Sequence, residues 1–324
     1  MITDQQTINP ENFEPSILPE NIHVHFIQRE QVSDSFYQGM QGYILKAVSM
    51  RNIKTSVRFQ QKIHNKLFID TLNINIPFSE QNQLFLFNDR NKLARLFRLA
   101  FADYLMIEEG IANYLNIELK PLERILNRVM FNNRQFRYFG DDARCKAIYL
   151  LTPEKAPKAL QHKTHLINFV DHDFIETYLY RFFKYDLKLN YSVIIATQPY
   201  FANGLDTLIY RKIFQKLKEH GIYFAIKSHP KENSNDYLNI FPDTEFINNK
   251  IPLELMIFGA KEKCNILSIC TSAGTGFENY CRRLNLISDD ELDNMFKIFS
   301  MFADDNSLID QKIEQKIEQL LAQK

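Results

Sequence analysis

The chain has 324 residues, 45% hydrophobic and 24% charged, enough for roughly two domains of about 150 residues each. Lys plus Arg and Asp plus Glu both number 39, so the net charge is zero and the basic surplus of a dedicated nucleic-acid binder is missing. No run of about 18 apolar residues exists, which excludes a hydrophobic transmembrane helix in this sequence.

In chain order, the segment 1–21 is polar and proline-bearing. It lacks the basic and apolar regions of a signal peptide, so a flexible arm and a cytoplasmic protein are expected. Strands are predicted at HVHFI (24–28) and QLFLFN (83–88). The next stretch, 89–104, places Leu93, Leu96, Phe97, Leu99 and Ala100 at helical spacing. A strand YLMI (104–107) follows, then helical readings for IANYLNI (111–117) and PLERILNRVMF (121–131), and a strand KAIYLLTP (146–153). The polar, lysine-rich EKAPKALQHKTH (154–165) shows no periodicity and reads as a linker.

Beyond it come an aromatic helix (173–186), a strand YSVIIATQP (191–199), a helix (205–221) and a strand IYFAIKSHP (222–230). A strand TEFINN (244–249), a short helix PLELMIFGA (252–260) and a buried strand running into a loop, NILSICTSAGTG (265–276), follow. The tail 304–324 is an amphipathic helix with Asn306 or Ser307 as its cap and Ile309, Ile313, Ile317 and Leu320 on one stripe. Packing on its own domain is the first expectation for that stripe; a homodimer contact or peripheral membrane attachment are the others. Alternating strands and helices predict an α/β protein of two Rossmann-like domains facing a cleft, 1–155 and 156–324. The four cysteines, Cys145, Cys264, Cys270 and Cys281, have no metal-ligand spacing and read as reduced, structural thiols.

Three predicted strands end abruptly in polar or small residues, and in open α/β sheets ligands bind beyond such carboxyl ends. The first ends in Glu108-Glu109-Gly110, where strand alternation sends one carboxylate to the cleft as a candidate general base. The second ends in Lys227-Ser228-His229-Pro230, an imidazole whose charge changes near neutral pH, held by a proline. The third ends in Thr271-Ser272 with Gly274 and Gly276, read as a loop feeding a helix N-terminus that favours phosphate. Glu254, an acid in the apolar segment 251–259, could hold the two hydroxyls of a ribose. Each also has a structural reading: solvated loop acids, a turn histidine, a capped turn and a helix-start charge.

In this order the elements resemble the bacterial sialyltransferases, closest to glycosyltransferase family 52, the lipooligosaccharide sialyltransferases. Polysialyltransferases share the acidic triplet, the His-Pro pair and the Ser/Thr loop, here Glu108-Glu109-Gly110, His229-Pro230 and Thr271-Ser272. The resemblance spans about residues 100–280. It implies the GT-B architecture and an inverting, metal-independent transfer of sialic acid from CMP-sialic acid to a terminal sugar hydroxyl, galactose by analogy, on a surface glycan. It also implies Glu108 as base with Glu109 as alternative, His229 as acid toward the departing phosphate, and Thr271 and Ser272 on that phosphate. Glu254 would bind the ribose, and Lys227, Ser228, Pro230 and Gly274 would complete the donor site. No cofactor is expected. The inner face of the cytoplasmic membrane is a natural location for such an enzyme. The competing readings are a GT-B enzyme using another nucleotide sugar and a non-catalytic nucleotide-binding protein.

Overall fold

The computed structural model describes residues 1–4, 11, 13–49, 55–109, 111–121, 124–125, 135–167, 171–185, 193–198, 204–229, 232, 235–239, 241–249, 251–259, 263–271, 273–275 and 277–322. By contacts the chain divides into two units, 1–6 with 24–170 and 7–23 with 171–324.

In the first unit, β1 (Ile2–Asp4) pairs in parallel with β2 (His25–Ile27). Three helices follow, α1 (Arg29–Phe36), α2 (Gly39–Ser49) and α3 (Val57–His64), the last continuing as a π-helical turn over Asn65–Thr71. Then come β3 (Phe85–Leu86), α4 (Lys92–Ala100), β4 (Tyr104–Ile107), β5 (Ile117–Glu118), β6 (Phe136–Arg137), β7 (Cys145–Leu150) and β8 (Thr164–Leu166). Strands β3-β4-β7-β8 form one parallel sheet, and β5 and β6 a separate antiparallel pair. Asn91 caps α4 by accepting from Ala94 N at 2.8 Å, and the five apolar residues expected on its face are all buried.

Two expectations change here. IANYLNI is a 3-10 turn, Ile111–Tyr114, followed by β5, and most of PLERILNRVMF lies outside the described residues. The supposed linker 154–165 holds 3-10 turns and the start of β8, which pairs with β7. It reads as polar because an edge strand has few side chains to bury: His165 and Leu166 are exposed.

In the second unit the strands are β9 (Val193–Ala196), β10 (Phe224–Lys227), β11 (Glu245–Ile247), β12 (Cys264–Ser268) and β13 (Cys281–Asn285). All pair in parallel in the order β11-β10-β9-β12-β13. Strands β9 and β10 are buried at every position, as central parallel strands covered on both faces should be. Alternation divides them between two cores. Val193, Ile195, Phe224, Ile226 and Leu267 pack with α5 (Leu205–Glu219), α7 (Met295–Asp304) and α8 (Asn306–Leu321). Ile194, Ala225 and Ile266 pack on the other face with α6 (Leu253–Gly259). The stripe Ile309, Ile313, Ile317 and Leu320 is buried within this unit. The cap of α8 is Asp305, accepting from Ser307 N at 2.8 Å, rather than Asn306 or Ser307.

Candidate functional site

In the first unit, Glu108 directly follows β4, and its backbone N–H donates to Tyr149 O at 3.0 Å, continuing the ladder past the strand end. Its Oε2 accepts from the backbone N–H of Leu151 at 2.8 Å, just beyond β7, and from the Tyr114 hydroxyl. The Tyr114 oxygen in turn accepts from Thr152 N at 3.3 Å. Burial pushes the Glu108 carboxyl above its ordinary value, and the Leu151 and Tyr114 donors only partly offset that. Burial and then the Glu108 hydrogen bond push the Tyr114 phenol up, so it stays a proton donor.

Glu109 is exposed; its Oε2 accepts from Asn88 Nδ2 at 2.8 Å, and its backbone N–H donates to Asn113 Oδ1 at 2.9 Å. The adjacent acids are therefore separated by environment, one half-buried and one in solvent, as strand alternation requires. Gly110 lies outside the described residues.

In the second unit the strand order reverses direction between β9 and β12, the switch point where α/β sheets form their ligand crevice. Thr197 and Gln198 follow β9, Ser228 and His229 follow β10, and Thr271 lies three residues past β12. Gln198 Nε2 donates to Thr271 Oγ1 at 2.9 Å, joining two of these strand ends. The backbone of Thr271 is fixed by Asn285, whose Oδ1 accepts from its N–H at 3.2 Å and whose Nδ2 donates to its carbonyl at 2.9 Å.

Glu232 organises the end of β10. Its Oε2 accepts from His229 N at 2.8 Å and from Thr197 Oγ1 at 2.5 Å, and its Oε1 accepts from Tyr237 OH at 2.9 Å. Its own N–H returns to His229 O at 2.9 Å. These reciprocal bonds fix the backbone on which the half-buried His229 imidazole stands. Burial and the nearby Glu232 charge push the Tyr237 phenol up.

The remaining expected site residues are placed as follows. Ser228 is buried, and Lys227 is buried with its Nζ donating to Asn249 O at 3.0 Å. Pro230, Ser272 and Gly276 lie outside the described residues. No helix follows the Thr/Gly loop: 277–280 is a turn leading into β13, so the expected helix N-terminus for phosphate is not there. Hydrogen bonding to β12 overrides the capping pattern. Gly274 has a φ of +82° and presents its open side inward, where a Cβ would come within 2.6 Å of Cys281 Sγ. Glu254 stands in the first turn of α6, and among the described residues no hydrogen bond joins it to the Gln198–Thr271–His229 set. Thus Thr271 and His229 are brought to one end of one sheet, Glu108 and Glu109 belong to the other unit, and Glu254 remains apart.

Sequence reasoning missed Gln198, Glu232, Tyr237 and Tyr114. Only Glu232 carried a signal: an acid three residues after His229, the spacing at which a side chain reaches back to a backbone N–H. Among the described residues no group of three or more His, Cys, Asp or Glu is placed to hold a metal ion.

No protein-family model matches the chain, and no curated protein matches its sequence. Among solved structures it is similar to an alpha/beta-galactoside alpha-2,3-sialyltransferase from the luminous marine bacterium Photobacterium phosphoreum. The identity is 13%, the TM-score 0.39, and the likeness covers 87% of this chain and 88% of the other. At that distance neither residue roles nor activity pass from that enzyme to this chain.

Proposed function

We propose that the chain is a GT-B type glycosyltransferase with its nucleotide-sugar site at the switch point of the second sheet. The observation that carries this reading is the polar set at the ends of β9, β10 and β12: Gln198, His229 and Thr271. Within the class we assign the donor as CMP-sialic acid, on the ordered occurrence of the acidic triplet, the His-Pro pair and the Ser/Thr loop.

In this reading the acceptor hydroxyl oxygen attacks the anomeric carbon while the bond from that carbon to the CMP phosphate oxygen breaks. Glu108 takes the hydroxyl proton, and its raised pKa makes it a better base than a solvated carboxylate. His229 gives a proton or hydrogen bond to the departing phosphate, and Thr271 Oγ1 adds a donor there. Attack opposite the leaving group inverts the anomeric centre. The acceptor is a terminal sugar, galactose in this reading, on a bacterial lipooligosaccharide or capsule glycan, and no metal ion is needed. Lys227 bears on the donor class: it is buried with Nζ on Asn249 O, so it brings no exposed cation to a diphosphate. A monophosphate leaving group asks for less neutralisation than UDP or GDP.

The test is a panel of nucleotide sugars, reading nucleotide release with and without EDTA. CMP release from CMP-sialic acid alone, unchanged by EDTA, is the expected result. UDP or GDP release in its place overturns the donor assignment, and full activity in both Glu108→Gln and His229→Ala overturns the residue roles.

A further inference from the structure

Charge is balanced over the whole chain but not locally. Between residues 39 and 69 the sequence carries six cations, Lys46, Arg51, Lys54, Arg58, Lys62 and Lys66, and no Asp or Glu. The stretch includes α2 and α3, whose inner faces share one apolar cluster: Leu45 and Val48 of α2, Phe59 and Ile63 of α3, and Leu99 and Ala100 of α4.

The outer face of α2 is also apolar. Met40, Tyr43 and Ile44, at i, i+3 and i+4, are 82%, 72% and 60% exposed. Lys46 on α2 is exposed, as are Arg58, Lys62, Lys66, Val57 and Ile69 on α3 and the π-helical turn that continues it. Single exposed apolar residues need no explanation, but three on one face of a helix in a stretch without Asp or Glu form a patch.

We propose that the outer face of α2 and α3 docks the protein on an anionic lipid bilayer, with Met40, Tyr43 and Ile44 entering the headgroup region. The charge pattern chooses the occupant. A second copy meeting this face by two-fold symmetry would set Lys46, Arg58, Lys62 and Lys66 against cations of the same face, whereas acidic headgroups complement them. The apolar triplet adds burial that a purely electrostatic site lacks, and an amphipathic helix with Lys and Arg at its border is the form interfacial helices take. Because the stripe of α8 is buried in the second unit, α8 is not the membrane-facing helix.

Sedimentation of the full chain with vesicles tests this, and needs no donor, acceptor or activity. The wild type should bind vesicles of phosphatidylcholine mixed with phosphatidylglycerol, release in high salt, and stay in solution with phosphatidylcholine alone. Each exposed cation near the surface is worth a factor of about five, so K46E/R58E/K62E, which removes three cations and adds three anions, should lower partitioning at least about a hundredfold. M40S/Y43S/I44S should lower it at least about tenfold, and unchanged circular dichroism melting would show that both variants fold. Equal binding to both vesicle types, wild-type-like binding by either variant, or no binding at all overturns the proposal. So does a wild-type dimer in light scattering that M40S/Y43S/I44S dissolves, which would give the face to a second copy.

Discussion

Glu108 combines partial burial, which holds its proton longer, with a fixed orientation from two donors. As the proposed base it must be ionised, so turnover should rise with pH through its raised pKa, and the acid limb of kcat/KM should lie above the ordinary carboxylate range. The effect on stability has the opposite sign. The folded state holds this proton more tightly than the unfolded chain, so Glu108 costs stability as pH rises from the ordinary value through the raised one. Removing the Tyr114 donor strips away part of what stabilises the anion. Tyr114→Phe should therefore move the acid limb to still higher pH, and a limb moving downward would refute the assignment. Glu108→Gln should lower kcat by about 10²- to 10⁴-fold, the range of a lost general base, with CMP affinity little changed in a binding titration. The sequence pointed to the acidic pair but not to its environment. Burial of Glu108 depends on Tyr114 and on Leu151 at the end of another strand, a proximity that only the β4–β7 pairing creates.

At the scale of elements, the loop after β12 shows how a residue can be picked out for one reason and needed for another. Gly274 was picked out for the donor site; it turns the chain at φ +82°, where an added Cβ would meet Cys281 Sγ and Ile266 Cδ1. Gly204, at the start of α5, shares a φ of +78° but has nothing within 4 Å of the Cβ position. The pair separates backbone strain from packing. Gly204→Ala should cost about 1–2 kcal/mol, the left-handed penalty alone. Gly274→Ala should cost that plus about 1–3 kcal/mol of overpacking, read by urea denaturation. Equal losses would remove the packing argument. Strands β9, β10 and β12 were legible because short, largely apolar runs are what doubly covered parallel strands require. Strand β8 and the turn into β13 were not: one is an edge with little apolar surface, and the other follows Thr, Ser and Gly residues that equally announce a helix. In both places pairing with a remote strand decided the structure.

For the whole molecule, the alternation of strands and helices was enough to foresee two α/β units, but not the path of the N-terminus between them. Residues 1–6 group with the first unit, 7–23 with the second and 24–170 again with the first, so the chain passes between units three times. The expected flexible arm is anchored at two places. Ile2–Asp4 pairs with β2, and Phe13 is buried with its ring centroid 5.3 Å from Phe182 and 5.2 Å from Phe183. Around it Glu14 N donates to Phe182 O at 2.9 Å, and Lys184 Nζ donates to Glu11 O at 2.8 Å. A polar, proline-bearing sequence hides this because one aromatic residue supplies most of the burial. Phe13→Ala should cost about 3 kcal/mol, the lower end for a buried phenylalanine. Hydrogen exchange is the measurement that locates the loss. Amides in 171–185 should exchange faster in the variant, while those of β4 and β7 keep wild-type protection, because local opening follows the contacts removed. Unchanged exchange across 171–185 would return residues 7–23 to the status of a loose tail. Faster exchange in both units would mean that the segment couples their folding rather than bracing one of them.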